Sequence, residues 1–220
     1  MKSDPLISIV IPTYNRADLI GKTIKSALEQ DYSDYEIIVI DDGSTDETES
    51  VLSAYSNEII YRKVENGERG RARNIGVSES KGEYVYFLDS DDLLYPQHLR
   101  TAVEMIRNSE PEILWLPYEI VDEEGNSLKT YSASKEDTLD RLVSEGNFMS
   151  CHGLFIRRSI LVEHPFNETR SLAGSEDMEL WIRLASRYPF LQGSEVTSCL
   201  VEHGDRSVMN FNDIDKLTTR

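Results

Sequence analysis

Asp89, Ser90, Asp91 and Asp92 form an acidic cluster directly after the apolar run YVYFL. Carboxylates crowded this closely at the end of a buried strand repel one another unless a cation relieves them, and hard oxygen donors suit Mg2+ or Mn2+. Such an ion commonly holds one or two protein carboxylates and takes its other ligands from a diphosphate and water. The cluster therefore points to a nucleotide-diphosphate ligand. The alternative is that Asp89 and Ser90 merely cap the next helix. A D-x-D triplet alone is a weak signal, and its place after a strand is what favours the metal.

Two other loops carry groups of the same kind. SIVIPTYNR puts Pro12, Thr13 and Tyr14 at the end of one apolar run, and VIDDGS puts Asp41, Asp42 and Gly43 at the end of the next. An aromatic ring can stack on a nucleobase and a carboxylate can accept the imide N–H of uracil, so Tyr14 and Asp42 make a base clamp. Packing for Tyr14 and helix capping for the aspartates are the competing readings. ERGRARNIG places Arg71 and Arg73 in a helix's first turn, where a cation needs an anionic partner against the dipole. A diphosphate or the Asp cluster would supply it; for Arg71 a surface bond to Glu68 would serve as well.

In the second half, GSEDMELWIRL places Glu176, Asp177 and Glu179 in a first helical turn, with Leu180, Trp181 and Leu184 facing inward. Acidic residues at a helix start are ordinary, but Asp177 could act as a base if burial raised its pKa and a hydroxyl came within reach. His203, in LVEHGDRS, could complete the metal site through a neutral imidazole or be a surface histidine. His152, beside Cys151, could line an acceptor pocket or be a satisfied loop or core histidine.

The elements that must position these groups alternate. Strands are expected at residues 6–11, 36–40, 59–64 and 84–88, and helices at 17–30, from a Ser44-x-x-Glu47 capping box to 55, and from near Gly70. That order implies an α/β fold, a doubly wound, mostly parallel sheet with helices on both faces and ligands at the strands' C-terminal ends. The rhythm then fades into a helix at 96–108, a strand at 113–118, a hairpin at 121–128, a helix at 139–144, a strand at 154–157 and a helix at 178–187. One domain over residues 1–220 is expected, with a nucleotide-binding half at 1–110 and an irregular acceptor-binding and catalytic half at 111–220.

Composition narrows the partners. The 23 Lys and Arg against 40 Asp and Glu give a net charge of −17, which repels nucleic acid and anionic lipid unless a local patch intervenes. No apolar run reaches a membrane span, and MKSDPLISIV lacks the layout of a secretory signal, so a cytoplasmic setting is expected. Cys151 and Cys199 have no metal or redox spacing and read as buried thiols. No G-x-G-x-x-G follows the first strand, and there is no P-loop and no G-x-S-x-G elbow, which disfavours dinucleotide, ATPase and hydrolase chemistry. Oligomeric state is not encoded in any motif.

SIVIPTYNR, VIDDGSTD, GRARNIG, FLDSDD and GSEDMELWIRL stand in the order and spacing of the family-2 glycosyltransferases, which the chain resembles from about residue 5 to about residue 205. The resemblance implies a GT-A fold and an inverting transfer of a sugar, hexosyl or N-acetylhexosaminyl, from a nucleotide sugar, most often UDP-linked, to a hydroxyl. A saccharide or lipid-linked saccharide is the implied acceptor, Mn2+ or Mg2+ the cofactor, and surface or exopolysaccharide synthesis the setting, either free in the cytoplasm or peripheral at the inner face of the membrane. By motif match Pro12, Thr13, Tyr14 and Asp42 would hold the nucleoside, with Arg71, Asp89 and Ser90 also at the nucleotide. Asp91 would hold the metal, with His203 and Asp89 beside it, and Asp177 would take the acceptor proton. The Q-x-x-R-W motif of processive relatives is missing, which implies one sugar per encounter. DIDKLTTR reads as the start of a helix, so a longer protein is expected. Two rival functions are a sugar-nucleotide nucleotidyltransferase, for which PTYNR lacks the Gly-rich basic loop, and a silent nucleotide-binding module.

Overall fold

The computed structural model describes residues 4–172 and 174–204; the DIDKLTTR segment lies outside them. In chain order the elements begin β1 (Ile7–Thr13), α1 (Ile20–Leu28), β2 (Tyr35–Asp41), α2 (Thr48–Ser53), β3 (Ile60–Lys63), α3 (Glu68–Glu79), β4 (Tyr84–Phe87), β5 (Leu93–Leu94), α4 (His98–Ser109) and β6 (Ile113–Trp115). They continue β7 (Tyr118–Val121), β8 (Ser127–Tyr131), α5 (Thr138–Glu145), β9 (Leu154–Arg157), α6 (Arg158–Glu163), a 3-10 turn at Arg170–Leu172, α7 (Glu176–Ala185), β10 (Phe190–Gln192) and β11 (Ser198–Val201).

Seven strands form one sheet in the order β10-β6-β9-β4-β1-β2-β3. β1 through β4 pair in parallel, as the alternation requires, while β9 runs antiparallel between β4 and β6. The sheet is therefore mostly parallel. β1 is buried at all seven positions because helices cover both of its faces. Its period of two sorts the core: Ile7, Ile9 and Ile11 meet α1 and α4 on one side, and Val10 shares the other with α3 and α7. Gly76 lets α3 come close, since a Cβ there would lie 2.2 Å from Val10 Cγ1. A second sheet, β5-β11-β7-β8, starts just after the acidic cluster and ends just before His203.

Several local expectations shift. The run at 113–118 divides at Leu116-Pro117, so Trp115 ends a strand of the large sheet and Tyr118 begins one of the small sheet; proline offers no N–H to continue a ladder. The Ser44-Glu47 capping box does not form: Ser44 Oγ accepts the Asn15 N–H at 2.9 Å, and Asp46 Oδ1 accepts the Thr48 N–H at 3.0 Å. The short β5, α6 and β10 carry too few residues to show a period. Both cysteines are buried and free. Among the described residues no helix is long and apolar enough to cross a membrane.

Candidate active site

The parallel strands deliver their loops to one edge. Thr13, Asp41 and Lys63 are in register across β1, β2 and β3, and β4 stops level with Val10. The Asp42 N–H donates to the Thr13 carbonyl at 2.8 Å, binding the first two loops together. Asp41 is consumed structurally, accepting the Ser44 N–H at 2.7 Å and the Tyr61 hydroxyl at 2.9 Å. Asp42 instead faces the loop after β3, where Oδ1 accepts the Gly67 N–H at 2.8 Å and Oδ2 lies 3.3 Å from Asn66 Nδ2. Burial pushes its pKa up, against the pull of the Gly67 N–H and the nearby Arg71. Gly43 has φ +83°, a left-handed turn that glycine tolerates, and a Cβ there would sit 3.0 Å from the Asn66 nitrogen. Pro12 and Thr13 are buried, whereas Tyr14 is 46% exposed, so packing does not account for its ring.

The acidic cluster separates into different tasks. Asp91 Oδ2 lies 3.2 Å from His203 Nε2 and 3.7 Å from Arg16 Nε. Asp89 Oδ1 accepts from Arg73 at 2.9 Å, and the other arm of that guanidinium donates to Glu176 Oε1 at 2.7 Å. Ser90 is buried, and Asp92 turns inward to the Val201 N–H at 3.2 Å and His152 Nδ1 at 3.3 Å. Among the described residues no three His, Cys, Asp or Glu side chains form a metal cage. The two donors that do converge, a carboxylate and an imidazole, fit a hard divalent ion that draws its remaining ligands from diphosphate and water. Asp89, read from sequence as a further metal-side group, is engaged by Arg73.

Asp177 stands in the first turn of α7, its Oδ1 accepting the Met178 N–H at 2.7 Å and its Oδ2 accepting Asn147 Nδ2 at 2.7 Å. Burial raises its pKa, with Arg73 the main opposing influence. The neighbouring Cys151 thiol is pushed well up by burial and stays protonated. Thus Arg73 joins the acidic loop after β4 to the helix that carries Asp177.

The sequence placed both arginines of GRARNIG against an anion, and the structure distinguishes them. Arg71 donates to the Glu65 carbonyl at 2.7 Å, not to Glu68 or the Asp cluster. Arg73 is 2% exposed and takes the cluster. Helical phase could have found this, since Gly70, Arg73, Gly76 and Val77 fall on one buried face. Arg16, Asn147 and Glu176 were not foreseen as contacts; the first two carry no local signal, and Glu176 read as an ordinary first-turn acid. His152 does not line a pocket: it is buried against Asp92 and the Tyr118 ring, 5.3 Å between centroids.

A model of Glycosyl transferase family 2 matches residues 8–164. The chain belongs to glycosyltransferase family 2. Within the family, an uncharacterized glycosyltransferase of Rickettsia felis is 32% identical over 222 residues, covering 95% of this chain and 36% of that protein. Chondroitin synthase of Escherichia coli is 30% identical, covering 98% of this chain and 32% of the synthase. The GalNAc(5)-diNAcBac-PP-undecaprenol beta-1,3-glucosyltransferase of Campylobacter jejuni is 32% identical, covering 84% and 62%. The chain spans 27% to 61% of the length of five Rickettsia relatives. Among solved structures, S. aureus TarS 1–349 in complex with UDP-GlcNAc superposes with a TM-score of 0.77 at 22% identity, covering 92% of this chain and 60% of TarS. Mannosyltransferase PcManGT from Pyrobaculum calidifontis, in complex with GDP-Man and Mn2+, gives 0.65 at 21% identity, covering 92% and 59%. The fold is GT-A, as the sequence resemblance implied.

Proposed function

We propose that this family-2 chain is the catalytic unit of a metal-dependent, inverting glycosyltransferase that moves a sugar from UDP to a hydroxyl of a saccharide or lipid-linked saccharide, in polysaccharide synthesis. The observation that carries the reading is Asp177: a carboxylate of raised pKa, coupled through Arg73 and Glu176 to the acidic loop at the donor edge. The TarS complex with UDP-GlcNAc supports a UDP donor, and the Campylobacter relative supports a lipid-linked acceptor. On this reading residues 1–110 bind the donor, residues 111–220 bind the acceptor, and the work is done in the cytoplasm or at the inner face of the membrane.

Tyr14 stacks on the base and Asp42 accepts a hydrogen bond from its imide N–H, orienting the nucleoside at the ends of β1 and β2. Mn2+ or Mg2+, held by Asp91 and His203, would neutralise charge developing on the diphosphate leaving group. Arg16, already beside Asp91, lies where a phosphate oxygen would find a cation. Arg73 fixes Asp89 and Glu176, and so the start of α7. Asp177 Oδ2, which holds an N–H donor from Asn147 in this structure, receives the proton of the attacking hydroxyl as the C–O bond to the anomeric carbon forms and the bond to the diphosphate breaks. Attack opposite the leaving group inverts that carbon.

Isothermal titration of UDP, with Mn2+ and again with chelator, tests the donor half; UDP-sugars then rank the donor. Metal-dependent binding is the expected result. Absence of UDP binding under both conditions would sink the UDP reading.

A further inference from the structure

Asp92 is a carboxylate that the proposed chemistry leaves unused, yet it is 1% exposed. Burying a carboxylate is costly unless its oxygens are met, so the partners it has acquired show what it does. We propose that Asp92 is a positioning residue for the Asp91–His203 pair, tying the acidic turn to the strand that presents His203.

Three contacts support this. The Asp92 N–H closes the turn on the Asp89 carbonyl at 3.1 Å. β5 pairs with β11 through Ser198 opposite Leu94 and Cys199 opposite Leu93, where that ladder ends; along its other edge β11 stays paired with β7 through Val201, and the Glu202 N–H donates to the Val121 carbonyl at 2.7 Å. Asp92 Oδ1 carries the attachment one step further by accepting the Val201 N–H at 3.2 Å. Two residues beyond Val201, His203 Nε2 meets Asp91 Oδ2 at 3.2 Å. One side chain therefore ties the turn that carries Asp91 to the β5-facing edge of β11, two residues before a histidine 112 residues away from Asp91 in sequence, while β7 holds the opposite edge of that strand. Its other oxygen faces His152 Nδ1 at 3.3 Å. That ring packs on Tyr118, and the next residue, Gly153, has a φ of +80° and accepts the Leu116 N–H at 2.9 Å.

The part of the inference that concerns the metal rests on the function proposed above; the attachment of β11 does not, and the experiment separates them. Asp92→Leu keeps the branching of the side chain, at a larger volume, and removes both acceptors, while Asp92→Asn keeps one oxygen able to accept the Val201 N–H. Each is measured by amide hydrogen exchange at Val201 and by UDP titration with Mn2+ and with chelator. Asp92→Leu is expected to speed Val201 exchange at least tenfold. It is also expected to weaken Mn2+-dependent UDP affinity by about 10- to 100-fold, the usual consequence of losing a group that orients a metal ligand. UDP affinity in chelator should stay within about twofold, and Asp92→Asn should restore most of both losses. If Asp92→Leu fails to fold, Asp92→Ser, too short to reach Val201, is read with the same expected signs. A purely supporting role would lower the melting temperature and leave Mn2+-dependent affinity within about twofold of wild type, which overturns the proposal. Unchanged Val201 exchange overturns it as well. If wild type shows no metal-dependent binding, the functional reading fails, and the exchange rates still decide whether Asp92 holds the β5-facing edge of β11 at Val201.

Discussion

Tyr14 and Asp42 stand at the ends of strands whose backbones are paired along seven positions, whereas Asp177 is met by the Asn147 side chain from 30 residues away and its neighbour Glu176 by Arg73 from 103 residues away. The donor edge is built from ladders, so each of its side chains can change while the loops stay where the strands put them. The acceptor side is built from a charge network in which Asp89, Arg73 and Glu176 are linked in series. Substitutions should therefore act independently at the first region and jointly at the second.

The largest separation between the regions is expected for Asp177→Asn. General-base catalysis contributes about 10^2- to 10^4-fold, so transfer should fall by that factor while Mn2+-dependent UDP affinity stays near wild type. Steady-state rates and titration check it; loss of UDP binding would remove Asp177 from the role of base. Next is Arg73→Ala, which leaves Glu176 buried without its cation. Breaking a buried pair in this way costs about 3–5 kcal/mol, so urea unfolding should show a loss of that size, accompanied by slower transfer. An unfolding free energy within about 1 kcal/mol of wild type would show that the network is not what holds α7. Smaller again is Tyr14→Ala at the donor edge. Base stacking on an aromatic ring is worth about 1–3 kcal/mol, so UDP affinity should weaken by that amount, with unfolding free energy changed by no more than about 0.5 kcal/mol. A stability loss above 1 kcal/mol would assign the ring to packing after all.

This division also governs what the sequence could disclose. The strand-end loops were legible because apolar runs ending in PTYNR, DDGS and DSDD mark both a strand and its exposed end. The charge network was legible only in part. Arg73 and Asp177 stood out by type, and helical phase puts Arg73 on the buried face, but Arg73 meets Glu176 across 103 residues, and no local pattern names Glu176 as its partner. Asn147 lies in a stretch without periodicity, between α5 and β9, and its contact with Asp177 exists only once α5 and α7 pack together. The insertion of β9 antiparallel between β4 and β6 escaped for a related reason. A four-residue strand whose first three residues are apolar and buried looks the same in either direction.

The smallest effect joins the comparison at a single group. Burial raises the Asp177 pKa above its ordinary 3.8, and Arg73, the Met178 N–H and Asn147 only partly offset it. The folded protein then holds that proton more tightly than the unfolded chain does. Between 3.8 and the raised value, stability accordingly falls as pH rises, and below 3.8 the contribution is fully present. Catalysis runs the other way, because a base must be deprotonated, so kcat should fall as pH drops through the raised pKa. Asp177→Asn removes the titration but keeps the shape. Its melting temperature relative to wild type should increase from pH 3.5 or so to about pH 7, by a shift small beside that of Arg73→Ala. Asp42, also raised by burial, remains in both proteins and cancels from the difference. A flat difference across that range would mean that Arg73 fully offsets the burial of Asp177. The acid limb of kcat would then have to come from another group.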